Sequence, residues 1–371
     1  MSVSTAIQIY RLLACILLSG YAVGTGIKEA AAALNGLMLA YDDSTGLWDL
    51  SDPDAAWWQS SVALQATLDF MTASGTREHL PYANYTINMQ RAPLAWWPQG
   101  GGDFRAESTD DTGWWALAMT SMYTLTGERS FLDIALEDEA YMAQYWTLSE
   151  CNGGLIWRIQ DVSYKAAISN ELYIELTATL HNLIPWDTTF LNRSLDAWDW
   201  FKDSGMINSG WLINDGLTKA ANDSCINNNA PTWTYNQGVV LGGLVQLYLA
   251  TGDAQFLIFG RNIAGAVLAS AQLSPGGILT EPCPLEGCPD GNAASFKGLF
   301  IRNLAKLNAH LPDRPYSLFL STNANTMYVN ARSSSAGDTD LYGMLWQGPF
   351  DKTSIGRQQS AVMLLVAALG V

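Results

Sequence analysis

The chain has 371 residues, with 19 Lys and Arg against 35 Asp and Glu, a formal charge of −16. Only 15% of residues are charged while 49% are hydrophobic, against roughly 25% charged in an ordinary soluble domain, so the chain is a packed globular protein. The acidic balance excludes nucleic acid, polyanionic substrates and anionic membranes as partners, since each needs a basic surface. Fifteen Trp and fifteen Tyr stand beside three histidines, His79, His181 and His310. That scarcity argues against a histidine-based metal site or a Ser-His triad. It suits neutral sugars, whose apolar ring faces meet indoles and whose hydroxyls meet carboxylates and amides.

In chain order, residues 1–25 read as a secretory signal peptide. Arg11 closes a short polar region, Leu12 to Leu18 form the apolar stretch, and small residues from Ser19 to Gly26 supply a cleavage site. The remainder, 26–371, reads as one domain. Helical periodicity dominates it, with helices expected at 26–41, 55–74, 77–90, 110–126, 129–147, 165–181, 186–204, 233–251, 253–272, 294–310, 315–331 and 354–369. Turns such as Thr126-Gly-Glu128 and Thr251-Gly-Asp253 separate them. Loss of the signal removes Cys15 and leaves four cysteines. Cys283 and Cys288 flank a Pro/Gly-stiffened loop and are expected to pair, as are Cys151 and Cys225. Three sequons, at Asn84, Asn192 and Asn222, agree with export and glycosylation. The apolar end, Ala361 to Leu369, lacks the polar spacer of a lipid-anchor signal and reads as a final buried helix.

Twelve helices carry an internal echo: Met122-Tyr-Thr-Leu-Thr-Gly-Glu resembles Leu247-Tyr-Leu-Ala-Thr-Gly-Asp, 125 residues later. Helices in pairs with such a repeat predict six hairpins closed in a ring, an all-α (α/α)6 barrel. The helices beginning near 55, 110, 165, 233, 294 and 354 are apolar all round and form the inner ring. Parallel inner helices bring their beginnings to one end of the barrel, and unusual polar residues gather there.

Among those beginnings, Asp110-Asp111 is the sharpest feature. A pair of carboxylates is the minimum equipment for glycosidic cleavage, and neighbouring acids push each other's pKa values apart. Residues adjacent in the chain reach the ~5–5.5 Å carboxyl separation of retaining enzymes more readily than the wider inverting gap, which predicts retention. Trp114 and Trp115 flank the pair. Trp57, Trp58 and Gln59 occupy the equivalent place on the preceding inner helix, with one indole expected in the core and the other under a sugar. Tyr235, Asn236 and Gln237 offer an aromatic ring and two amides to hydroxyls. Lys165 and Asn170 open the helix between. Lys297 and Arg302 lie on a later one, where a cation on an apolar helix commonly neutralises a buried acid. No metal and no organic cofactor is expected.

The chain resembles glycoside hydrolase family 76, the α-1,6-mannanases, and in particular its fungal secreted or cell-wall members. The resemblance rests on Trp57-Trp-Gln59, Asp110-Asp-Thr-Gly-Trp-Trp115, Cys151-Asn-Gly-Gly154 with Trp157, Tyr164-Lys-Ala-Ala-Ile-Ser-Asn170, Trp233-Thr-Tyr-Asn-Gln-Gly238, and Phe296-Lys-Gly298 with Arg302. It implies an (α/α)6 barrel, endo-cleavage of α-1,6-mannan with retention, Asp110 as nucleophile and Asp111 as acid/base. It also implies a mannan polysaccharide as partner, with cell-wall glycans besides, and a monomer is expected. Fungal relatives often carry a C-terminal anchor signal; here the sequence reads as stopping at the twelfth helix, and a freely secreted or shortened product is expected rather than a lipid-anchored one. Two other readings stay open: a wall transglycosidase using the same covalent intermediate, and a mannan-binding protein with a dead site. An epimerase on a similar barrel would need histidine bases at the inner-helix beginnings, where none lies.

Overall fold

The computed structural model describes residues 25–48, 53–220, 224–283, 291–334 and 338–371. The expected signal peptide, Cys15, the Asn222 sequon and Cys288 with its expected bond to Cys283 lie wholly or in part outside the described residues. Among those residues are twelve α-helices: α1 (Ile27–Met38), α2 (Pro53–Ser74), α3 (Leu80–Gln90), α4 (Thr109–Thr126), α5 (Arg129–Ala143), α6 (Ala167–Leu183), α7 (Thr188–Asp203), α8 (Thr234–Thr251), α9 (Gln255–Ala269), α10 (Ala293–His310), α11 (Ser317–Asn330) and α12 (Ile355–Ala368). The even-numbered helices pack side by side in chain order, and α12 closes on α2. The odd-numbered helices lie outside them, α1 and α11 chiefly against α12 and each of the others against the inner helix that precedes it. This is the (α/α)6 ring that the sequence predicts.

The inner helices are buried nearly all round because their sequences leave no polar face. In α8 every residue from Asn236 to Val245 is buried, and α6 is buried from Ala167 to Ala178. Close approach needs small residues: a Cβ on Gly238 would stand 2.3 Å from the Cα of Phe300 on α10. Outer helices show one apolar stripe, as in α7, where Phe190, Ala197, Trp198 and Phe201 face inward. Glycines in the left-handed conformation end α4 and α8, at Gly127 and Gly252. Those two turns are the repeated motif.

Several boundaries differ from expectation, as where the first helix ends at Met38 rather than 41 and the ninth at Ala269 rather than 272, and two of the differences bear on the site. The fifth helix stops at Ala143 rather than 147, because Trp146 forms an antiparallel bridge with Leu155 and turns the chain into a loop. Lys165, expected on the sixth helix, lies instead in a strand, β3 (Tyr164–Ala166), and the helix starts after it. Short hairpins connect α1 to α2 and α11 to α12: β1 (Tyr41–Asp42) with β2 (Leu47–Trp48), and β6 (Arg332–Ser334) with β7 (Asp340–Tyr342). The third sheet is antiparallel, β3 with β4 (Gly216–Lys219) and β4 with β5 (Cys225–Asn227), pairing Lys165 with Leu217 and Thr218 with Ile226. It stands at the N-terminal end of the inner ring.

Candidate active site

A cleft of about 1180 Å³ opens at the end where the inner helices begin. One wall is aromatic. Trp58 stacks on Trp114 with centroids 6.0 Å apart and leans on Phe296, which stacks on Tyr235 at 3.8 Å. Trp57 meets Trp96 edge-on at 5.9 Å. The indoles are anchored: Trp57 Nε1 donates to Gln90 Oε1, and Trp58 Nε1 to Asn292 Oδ1, both at 3.1 Å. Trp57 and Trp58, expected to divide core and platform roles, both line the cleft, but Trp57 is 4% exposed and part of the core while Trp58 is half-buried.

The facing wall is polar and comes from loops. Tyr164 begins β3, Asp215 immediately precedes β4, and Asn228 immediately follows β5, so the small sheet delivers three side chains to one place. The Tyr164 hydroxyl donates to Asp215 Oδ2 and accepts from Asn228 Nδ2 at 3.2 Å. Between the walls, Asp110 and Asp111 occupy the first turn of α4.

Segment 155–159 is clamped onto that turn. Thr109 N donates to Trp157 O at 2.9 Å, Thr109 Oγ1 to Ile156 O at 2.8 Å, and Ile159 N to Glu107 O at 2.9 Å. The clamp aims the Trp157 indole so that Nε1 donates to Asp110 Oδ2 at 3.1 Å. Asp110 Oδ1 has no hydrogen-bond partner. Burial raises Asp110 to about 6, against the pull of the Trp157 donor, the first-turn amides and the Arg158 cation. Asp111 is raised well above the carboxylate range, first by burial and then by the charge of Asp110, with a Ser108 hydrogen bond opposing. One ionised acid and one protonated acid therefore sit side by side near neutral pH.

The remaining residues expected at substrate are placed behind the walls. Gln59 Nε2 donates to Ser295 Oγ at 2.9 Å. Trp115 is fully buried, stacked on Phe104 at 4.5 Å. Gln237 accepts from Ile213 N and donates to Ile213 O. Asn236 is fully buried and lies outside the lining. Lys297 donates to Met344 O and lies 4.5 Å over the Trp346 ring, lowered to about 8 by burial despite nearby Glu281. Arg302 does neutralise an acid, pairing with Asp69. Asn170 accepts from Leu155 N at 2.7 Å and donates to Ala166 O, and Lys165 Nζ donates to Gly154 O at 2.6 Å and to Thr147 Oγ1. Both therefore hold the loop that carries Trp157.

That loop is held twice more. A disulfide joins Cys151 to Cys225 on β5, as the sequence predicts. The Trp200 ring lies so close over Gly154 (φ +87°) that a Cβ there would stand 2.3 Å from it. Trp96, Glu107, Arg158, Asp215, Asn228 and Asn292 line the cleft without having been anticipated. The Trp96-Trp-Pro-Gln-Gly-Gly-Gly run, aromatic residues in a glycine-rich turn, is the signal that could have found the first of these. Among the described residues, no three His, Cys, Asp or Glu side chains gather into a metal-binding group.

Known proteins share this architecture. A putative mannan endo-1,6-alpha-mannosidase of Schizosaccharomyces pombe is 26% identical over 92% of this chain and 79% of its own length. Mannan endo-1,6-alpha-mannosidase DFG5 of Saccharomyces cerevisiae is 26% identical over 92% of this chain and 77% of its own. The alpha-1,6-mannanase of Salegentibacter sp. has the same fold, with a TM-score of 0.81 at 24% identity over 92% of this chain and 98% of that one. An inactive variant of that mannanase, with two adjacent aspartates changed to asparagine, binds alpha-1,6-mannotriose. The model of glycosyl hydrolase family 76 matches residues 26–370, through every helix of the ring, and the chain belongs to that family.

Proposed function

We propose that this protein is an exported endo-acting mannosidase that cleaves internal α-1,6 bonds of mannan with retention. The observation that carries the reading is the Asp110–Asp111 pair between an aromatic and a polar wall, with an indole N–H on one acid. Asp110, whose charge the Trp157 donor stabilises, is the nucleophile. Its carboxylate bonds to the anomeric carbon as the glycosidic C–O bond breaks, and Asp111 gives its proton to the departing O6. Water then attacks the glycosyl ester, returning its proton to Asp111 and releasing Asp110. The aromatic arc of Trp114, Trp58, Phe296 and Tyr235 receives sugar faces. Tyr164, Asp215, Asn228 and Asn292 receive hydroxyls.

The relatives named as mannan endo-1,6-alpha-mannosidases and the mannotriose bound by the inactive Salegentibacter variant support the substrate. The Cys151–Cys225 disulfide supports export through an oxidising compartment. Asp110→Asn and Asp111→Asn should each abolish release of reducing ends from α-1,6-mannooligosaccharides. Product NMR should show the α-anomer first; an early β-anomer would refute retention. Equal activity of wild type and variants would remove both residues from the chemistry. A sugar hydroxyl resolving the same intermediate would make the protein a transglycosidase, and the open cleft leaves room for such an acceptor. Weighing the products formed with defined mannan and glucan acceptors separates the two outcomes.

A further inference from the structure

At the end of the barrel opposite the cleft, the turn between α6 and α7 reads Ile184-Pro-Trp-Asp187. Its indole, Trp186, is 78% exposed and has no ring partner among the described residues. An indole this far into water forgoes the stabilisation its burial would bring, and it is the most exposed tryptophan among the described residues. The corresponding turns of the neighbouring hairpins carry Thr126-Gly-Glu128 and Thr251-Gly-Asp253, with no aromatic residue.

The turn is held rigid. Pro185 fixes the backbone before the indole. Asp187 N donates to Ile184 O at 3.0 Å, the Asp187 carboxylate caps α7 by accepting from Thr189 N at 2.9 Å, and His181 Nδ1 contacts Asp187 O at 3.1 Å. Beside the indole is an open hollow of about 600 Å³, bordered by Arg129, Asp187, Thr188 and the apolar Phe190. Arg129 is itself oriented through Nε by Asp133 at 2.7 Å. A flat apolar ring on a stiff support, next to a guanidinium, a carboxylate and a hydroxyl, repeats in small the composition of the catalytic cleft.

We infer that Trp186 and this hollow form a second carbohydrate-binding site that holds a distant stretch of the polymeric mannan being cleaved. The inference rests on the mannan-directed reading of the cleft. A pyranose CH face covers the indole, while Arg129, Asp187 and Thr188 take its hydroxyls. With α6 spanning 17 residues, the two sites lie about 25 Å apart along the barrel. A trisaccharide in the cleft cannot reach both, whereas a long chain can, and the second contact then adds by effective concentration.

Trp186→Ala tests this, and because the ring is exposed the variant should melt as wild type does. The expected result is a KM for high-molecular-weight linear α-1,6-mannan raised about tenfold, with kcat/KM on α-1,6-mannotriose unchanged. Unchanged kinetics on both substrates, or an equal loss on both, would overturn the site. If the wild type cleaves neither substrate, the catalytic reading fails by itself, and electrophoresis in gels containing the same mannan decides this inference separately. Retardation that falls with Trp186→Ala supports it, and retardation equal in both proteins, retardation of neither, or Trp186-dependent retardation only by β-glucan refutes it.

Discussion

The indole nitrogen of Trp157 donates to Oδ2 of Asp110 at 3.1 Å, and the guanidinium of Arg158 lies 4.6 Å over the same ring. The donor lowers the carboxyl pKa that burial raises. Trp157→Phe keeps the ring and removes the N–H. A hydrogen bond to a charged group contributes ~1.5–3 kcal/mol, so kcat should fall roughly 10- to 100-fold. The acidic limb of the pH–rate profile should move upward, because the ionised form has lost a partner.

The pH profile of the wild type follows from the two acids. Catalysis needs Asp110 ionised and Asp111 protonated. With Asp110 raised to about 6, kcat/KM should fall as pH drops below that value. It should fall again on the alkaline side as Asp111, raised well above the ordinary range, loses its proton. A profile flat from pH 4 to 7 would mean that Asp110 is not the group whose ionisation limits the rate.

Asp138 on α5 is fully buried, and neither of its oxygens has a hydrogen-bond partner. Burial raises its pKa well above the usual value, outweighing the attraction of Arg105. The folded protein therefore holds this proton at pH values where the unfolded chain releases it. The contribution of this group to stability is complete below the unfolded pKa and declines as pH rises toward the folded one, by about 1.4 kcal/mol per unit. Asp138→Asn removes the titration. Relative to wild type it should gain stability as pH rises from 4 to 7, in denaturant melts at each pH.

The Cys151–Cys225 bond spans 74 residues of sequence and joins β5 to the loop that carries Trp157. Replacing both cysteines by serine should cost about 2–5 kcal/mol of stability. Because the bond tethers a cleft wall, KM for mannotriose should also rise at temperatures where calorimetry shows the variant still folded. An unchanged KM would confine the bond to a stability role.

The ring was legible because doubly buried helices leave an unmistakable pattern, apolar residues on all sides with Gly and Ala interleaved, as in α8. Asp110-Asp111 was legible because two acids open an apolar inner helix just before Trp114 and Trp115, at the end where polar residues gather, although acids in a first turn also serve the helix dipole. The neighbouring positions were harder to read. A step of one residue turns a helix about 100°, so Tyr235 faces the cleft while Asn236 and Gln237 turn into the wall. Trp114 and Trp115 divide in the same way. Trp157 entered the sequence reading only among the residues that carry the family resemblance, with no sign of the carboxylate it would meet. Asp215, Asn228 and Asn292 come from irregular segments or strand ends, where no period betrays direction. Only the three-dimensional sheet shows that Tyr164, Asp215 and Asn228 converge.

The closure of α12 on α2 has a consequence for biosynthesis. Gln358 Nε2 donates to Ala33 O at 2.7 Å and to Asp340 O at 2.8 Å, while its Oε1 accepts from Tyr342 N at 3.0 Å, fastening the last inner helix to the first outer one. A chain emerging from the ribosome holds α2 with one flank bare until more than 280 further residues have been made. The ring therefore cannot close until its last inner helix has been made, and until then the growing polypeptide presents an apolar seam to chaperones.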